Sequence, residues 1–229
     1  MASLAGVLNF DNVDAGGLPQ AQLDYLDRVE ALAPAAAVRE RTYALLPAGP
    51  GADVGCGRGR AVADLAERGH DGVGVDRSRV MVSAARRRFP ALRFLAGDAT
   101  DLPLKDACLH WYRSERTYLH IAEPLKALAE ARRVLVPGGR AVIADLDCDS
   151  IVLSSPDAAS TRAMVSAFTD SLANGRSGTR MASLMMQAGF TDVTVEQYCF
   201  STTATVLPRW AARIAATYAP GPAPRTTTS

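Results

Sequence analysis

Between residues 50 and about 200, short apolar runs alternate with longer stretches whose apolar residues recur every three or four positions. The short runs suit strands and the longer ones amphipathic helices. Ala52–Val54, Val73–Asp76, Leu92–Leu95, Cys108–Tyr112 and Ala141–Leu146 predict strands one to five. The stretch after Gly59 carries Val62, Leu65 and Ala66 at helical spacing. Ser78 is placed to cap the next helix, which stops near Arg88, ahead of Pro90. Pro124 opens a helix holding Leu125, Leu128 and Leu135, which Pro137-Gly138-Gly139 closes. Ser155-Pro156 starts another, with Met164, Val165, Phe168 and Leu172 on one face. A shorter helix with Met181, Leu184 and Met185 ends near Gly189, and Thr191–Phe200 predicts strand six. Methionine stripes of this kind usually fill cores. Strands alternating with helices imply right-handed crossovers, hence an α/β fold with a doubly wound, mostly parallel sheet and helices on both faces.

The flanks carry a different pattern. Residues 1–45 hold two helix candidates, Gln20–Leu32 and Ala36–Leu46, and form a segment that caps the main unit as a lid or packs on its sheet. The main domain spans 46–218, its last helix candidate being Pro208–Tyr218. Residues 219–229 are rich in Pro and Thr and read as a disordered tail.

Composition narrows the classes. The chain has 229 residues, of which 48% are hydrophobic, enough for one domain with a full core. A net charge of +1, with both signs mixed along the chain, gives no electrostatic case for a nucleic-acid or anionic-membrane partner. Arg86-Arg87-Arg88 reads as the solvated end of a helix. The four cysteines, 56, 108, 148 and 199, are scattered and suggest neither a zinc site nor a disulfide framework. No apolar run approaches the roughly 20 residues of a membrane span. The N-terminus lacks the regions of a signal peptide, so a reducing, cytoplasmic setting is expected.

The candidate chemistry sits in Gly51-Ala-Asp-Val-Gly-Cys-Gly-Arg-Gly59. Glycines at 55, 57 and 59 strip side chains from a strand-to-helix turn, so the backbone can approach a ligand closely. Asp76 ends the next apolar run. A dinucleotide-binding turn wants G-x-G-x-x-G. Counting from Gly55 or Gly57, the third glycine would fall at Arg60 or Val62, so a nicotinamide oxidoreductase is disfavoured.

Four landmarks occur in order: Asp53-Val-Gly-Cys-Gly-Arg-Gly59, Gly74-Val-Asp76, Gly97-Asp98-Ala99, and Glu130 through Arg140 with its Pro-Gly-Gly. Together they resemble motifs I to III, and the region after motif IV, of class I S-adenosylmethionine-dependent methyltransferases. The resemblance is to the type 11 branch, which includes ubiquinone and menaquinone biosynthesis enzymes, and in particular to small-molecule methyltransferases of secondary metabolism such as antibiotic biosynthesis. Arg113-Ser-Glu-Arg-Thr-Tyr-Leu-His-Ile121 matches that group's loop after strand four. The resemblance covers about residues 20 to 205. It implies a Rossmann-like fold, S-adenosylmethionine as cofactor and a small organic acceptor with an oxygen, nitrogen or carbon nucleophile. A descendant that keeps the cofactor site but runs a cyclisation, or only binds, is the alternative.

The same resemblance assigns roles. Asp76 accepts hydrogen bonds from the ribose hydroxyls, with Arg77 beside it. Asp98 accepts from the adenine amino group and the Ala99 amide meets a ring nitrogen. Gly55, Gly57 and Gly59 bring backbone beside the methionine part, with Arg113 or Ser114 close by. Asp53 either touches the ligand or braces the turn by accepting backbone hydrogen bonds. Asp98 can also serve as a turn former. His120 is the leading candidate for a general base, since its reference pKa of about 6.5 suits proton transfer; the alternative is that it orders the loop. Asp147, past strand five, is a candidate acceptor contact. His70 and His110 read as surface or packing residues.

In one respect the chain departs from the family pattern. The fold usually ends with an antiparallel seventh strand between strands five and six, and no β-rich run remains after Phe200 to supply it. Truncation, a reworked end, or a homodimer in which a partner lends a strand would each accommodate that.

Overall fold

A computed structural model describes residues 13–14, 19–152 and 157–199. Its elements are α1 (Pro19–Glu30), α2 (Ala33–Ala44), β1 (Gly51–Val54), α3 (Arg60–Glu67), β2 (Gly72–Asp76), α4 (Arg79–Arg88), β3 (Arg93–Ala96), β4 (Leu109–Glu115), α5 (Pro124–Val134), β5 (Leu135–Ala144), α6 (Ala158–Ser171) and α7 (Ser177–Gln187). Short 3-10 turns, Tyr118–His120 and Cys148–Ser150, follow β4 and β5.

The strands form one parallel sheet in the order β3-β2-β1-β4-β5. Strand order reverses between β1 and β4, which opens a crevice at their carboxyl ends. Helices cover both faces. On one, Tyr43, Leu46, Ala61 and Leu65 pack on Trp111 and Val142, while Val62, Val82 and Ala85 pack on Phe94. On the other, Ala127, Leu128 and Ala131 of α5, with Met181 and Leu184 of α7, cover Val54, Val75 and Tyr112. The end of α2 packs on the sheet, and α1 lies against the glycine turn.

Trp111 shows how closely the sequence fits this packing. Its indole is fully buried and spans two strands. A Cβ at Gly51 would stand 1.9 Å from the ring, and one at Gly72 2.9 Å. Side-chain-free positions in β1 and β2 make the groove that the ring fills.

Two expectations need correction. Pro137-Gly138-Gly139 does not separate helix from strand: α5 ends at Val134 and β5 starts at Leu135. Leu109 pairs with Leu135 and Trp111 with Arg140, so the Pro-Gly-Gly run bulges out of the ladder. Pro137 has no N–H to donate there, and Gly138 takes a φ of +79°. The second correction is strand six. Residues 191–199 form no strand, and Phe200 lies outside the described residues. Asp192 has a φ of +53°, and the segment is tied through Glu196 to Arg41 of α2 instead of pairing with the free edge of β5. No strand follows β5 among the described residues, in keeping with the missing seventh strand. The Pro208–Tyr218 helix and the 219–229 tail also lie outside the described residues.

Candidate cofactor and acceptor site

The glycine turn leaves β1 at the switch point. Gly55, Gly57 and Gly59 have φ of +78°, +51° and +80°, a region that side chains rarely adopt. A Cβ at Gly55 would strike the Thr117 hydroxyl at 2.1 Å, and one at Gly59 the Phe94 ring at 2.6 Å. At Gly57 a Cβ would meet nothing nearer than Leu26 Cδ1 of α1, at 3.9 Å. Gly57 is therefore the open face of the turn. Gly59 caps α3, whose first-turn amides add their partial positive charge.

Asp76 locks this turn. Its carboxylate accepts from the Gly57 amide at 2.8 Å and from the Ser78 amide at 2.9 Å. Burial pushes its pKa up while those two amides hold it down. A carboxylate offers about four acceptor positions, so two remain for a diol. Next to it, Arg77 is exposed. Asp98 accepts from the Thr100 amide and hydroxyl at 2.9 and 2.8 Å, the turn-forming role expected of it. Burial raises its pKa, but those bonds and Arg77 bring it below the ordinary value. Ala99 packs its methyl into the core.

Asp53 and Arg113 are partners across β1 and β4, and their side chains pair at 2.5 Å in the buried interior. Arg113 also donates to the Thr42 hydroxyl at 2.8 Å, pairs with Glu115 and lies 5.0 Å from the Tyr43 ring centre. Burial raises the Asp53 pKa against the pull of Arg113. Burial likewise works against the Arg113 charge, but Asp53 and Glu115 hold it above its usual value. Asp53 thus spends its carboxylate on Arg113 rather than on the turn amides, and it lines the small cavity beside the turn. Ser114 is fully buried and donates to the Val54 carbonyl at 2.9 Å. Its side chain is committed to the sheet.

The acceptor side lies past β4 and β5. His120 ends the Tyr118–His120 turn, half-buried. Asp147 precedes the Cys148–Ser150 turn, and its Oδ1 is buried without a hydrogen-bond partner among the described residues. Sequence reasoning passed over Asp145. Its carboxylate accepts from the Leu119 amide, the Leu146 amide and the Ser177 hydroxyl, each at 2.9 Å. It ties the turn that carries His120 to β5 and α7. Burial raises its pKa to about 6, with those donors pulling the other way. His110 is exposed and its Nδ1 lies 3.2 Å from the Ala48 carbonyl, while His70 stacks edge-on to Trp111; neither reaches the site.

Sequence reasoning also missed a set of charges beside the turn. A cavity of about 50 Å³ is lined by Glu30, Arg39, Gly55, Arg113, Glu115 and Arg116, among others. A larger hollow of about 180 Å³, between the end of α6 and the start of α7, contains none of the sequence-predicted site residues. Gly55, Arg113, Glu115 and Arg116 carried a signal, since all fall inside runs already singled out, whereas Glu30 and Arg39 did not.

The fold and site define a class I methyltransferase architecture, and comparison with known proteins agrees. Residues 52–143 match the methyltransferase domain family of type 11. A 37.1 kDa protein of transposon TN4556 from Streptomyces fradiae, whose activity is uncharacterised, is 38% identical over 184 residues, covering 76% of this chain and 53% of that protein. Demethylmenaquinone methyltransferase of Beutenbergia cavernae is 39% identical over 110 residues, 47% of this chain and 46% of that one. The chain thus spans about half the length of these curated relatives. A crystal structure of an S-adenosylmethionine-dependent methyltransferase from Thermotoga maritima superposes with a TM-score of 0.53 at 26% identity, covering 75% of this chain and 72% of that one. Residues 52–143 are a methyltransferase domain of this family, and the cofactor that the family implies is S-adenosylmethionine. Three left-handed glycines, an open Gly57 and a half-used Asp76 fit that molecule. Among the described residues no helix is long and apolar enough to cross a membrane.

Proposed function

We propose that this protein transfers a methyl group from S-adenosylmethionine to a small organic acceptor, in secondary metabolism. One observation carries the reading: Asp76, at the end of β2, fixes the open Gly57 of the turn and keeps acceptor capacity for a ribose diol. Arg77, Asp98 and the Ala99 amide line the adenine side, and Gly55, Gly57 and Gly59 give the methionine part its approach. Asp53 and Arg113 act one layer behind, as the buried pair that holds β1 and β4 in register. The bound cofactor supplies a methyl already activated by its sulfonium. The protein then has to hold the nucleophile in line with that methyl, about 3 Å away, and to exclude water. His120 takes the acceptor proton on a ring nitrogen where the acceptor is a phenol, an alcohol or an acidic carbon. Asp145 holds the turn that presents it, and Asp147 contacts the acceptor. Four free cysteines accord with a reducing, cytoplasmic setting.

Two measurements test this. Isothermal titration with S-adenosylmethionine and S-adenosylhomocysteine should show one site per chain. Labelled methyl transfer, screened over phenols, alcohols, amines and activated carbons, should then yield a product. Absence of uptake of either nucleoside by the folded chain overturns the reading.

A further inference from the structure

The cavity beside Gly55 is small, and its lining mixes Arg39, Arg60, Arg113 and Arg116 with Glu30, Asp53 and Glu115. Sites for ligands of cofactor size hold about 300–1,000 Å³, whereas this one measures about 50 Å³. Two guanidiniums of that lining carry an N–H without a hydrogen-bond partner among the described residues, Arg39 Nη1 and Arg116 Nε, the latter 3.4 Å from its ion-pair partner Glu115. Arg39 is only 8% exposed, so its free N–H is sealed from water as well. Leaving such a donor unmade is costly, and it marks a place where an acceptor belongs.

Helix α1 faces these groups with carboxylates. Glu30 lines the same cavity, and its backbone carbonyl accepts from Arg39 Nη2 at 3.0 Å. Its carboxylate stands 3.7 Å from Arg88 and feels Arg39 and Arg116 as well. Asp27, one turn earlier, pairs with Arg58 inside the glycine turn and lies 4.0 Å from Arg88. Leu26 sits over the open face of Gly57. Burial raises the Glu30 pKa, with Asp27 adding to the rise and Arg88, Arg39 and Arg116 opposing it. Arg88, which does not line the cavity, is thus a second cation within reach of the Glu30 carboxylate.

We propose that Glu30 is an internal stand-in for the amino-acid carboxylate of the cofactor. In the closed site it balances Arg39 and Arg116. When the cofactor enters, its carboxylate takes those two guanidiniums and α1 lifts from the turn. Helix α1 is then a gate held by charge, and the cofactor itself is what unlocks it. The inference rests on the cofactor assignment made above.

Calorimetry on the full chain tests it with two ligands, S-adenosylhomocysteine and 5′-methylthioadenosine, the second lacking the amino-acid end. Glu30→Gln should tighten S-adenosylhomocysteine roughly two- to fivefold, the worth of a weak ion pair, and leave methylthioadenosine unchanged. Arg39→Gln and Arg116→Gln should each weaken S-adenosylhomocysteine about tenfold or more, as loss of a charged hydrogen bond does, with little effect on methylthioadenosine. Circular dichroism checks each fold, and where Arg39→Gln does not fold, Arg116→Gln carries the comparison. Unchanged or weaker S-adenosylhomocysteine binding in Glu30→Gln overturns the proposal. So do arginine variants that weaken both ligands equally. Wild-type protein that binds neither ligand removes the cofactor assignment and this proposal with it; wild type that binds both, with Glu30→Gln unaltered, removes only the gate.

Discussion

Asp76 and Asp145 are both buried carboxylates, yet they differ in what they have left to give. Asp76 satisfies two backbone amides and keeps room for a ligand. Asp76→Ala should therefore cost cofactor affinity roughly 1.5–3 kcal/mol, the range for a hydrogen bond to a charged group. Titration calorimetry reads this directly, and an unchanged dissociation constant removes the ribose assignment. Asp145 has three donors from three separate segments and works as a clamp. Burial raises its pKa to about 6, so the folded chain holds that proton more tightly than the unfolded chain, where it titrates near 3.9. Its contribution to stability is then greatest below the unfolded value and is lost as pH rises from about 4 to 6. Two units correspond to on the order of 3 kcal/mol. Urea midpoints of wild type and Asp145→Asn, measured between pH 4 and 7, should diverge in slope across that window and run parallel above it. Parallel curves throughout would mean that the carboxyl titrates normally.

At the scale of elements, the sheet depends on matched absences. The Trp111 ring occupies space that Gly51 and Gly72 leave vacant on neighbouring strands. Gly51→Ala should thus destabilise by roughly 2–3 kcal/mol through overpacking, visible as a lower urea midpoint at unchanged slope. A wild-type midpoint would show that the indole can shift without cost. The elements themselves were largely legible, because β1 to β3 and α3 to α5 carry clean periodicity, turn glycines, the Ser78 cap and the Pro124 start. The site was legible wherever glycine or a strand-ending carboxylate marks it: Gly55, Gly57, Gly59, Asp76 and Asp98. What stayed hidden was pairing across the sheet. Arg113-Ser114-Glu115 looks like a polar loop along the chain, but β4 continues through it because Asp53 lies opposite Arg113 in register. The Arg39, Arg116 and Glu30 grouping was hidden for the same reason, since its members come from α2, the loop after β4, and α1.

For the whole molecule, the open question in physical terms is the outer edge of β5. A parallel sheet is stable when both faces are covered and its edges are paired or blunted. Here α-helices cover both faces, but no described strand pairs with the free side of β5. The chain after α7 carries the residues for one, with valines at 193 and 195, yet Val195 is 61% and Tyr198 48% exposed. The segment is held to α2 by Arg41 pairing with Glu196, whose carboxylate also accepts from the Tyr198 hydroxyl at 2.6 Å. Exposed pairs of this kind contribute little and weaken in salt. Amides across 191–199 should therefore exchange with solvent far faster than those of β1 and β4 in dilute monomer, and faster still at high salt. If a second copy covers the edge, protection across 191–199 and along β5 should rise together with protein concentration. Strong, concentration-independent protection of 191–199 in a proven monomer would instead mean that the chain completes its own sheet, and the edge would no longer be a site of association.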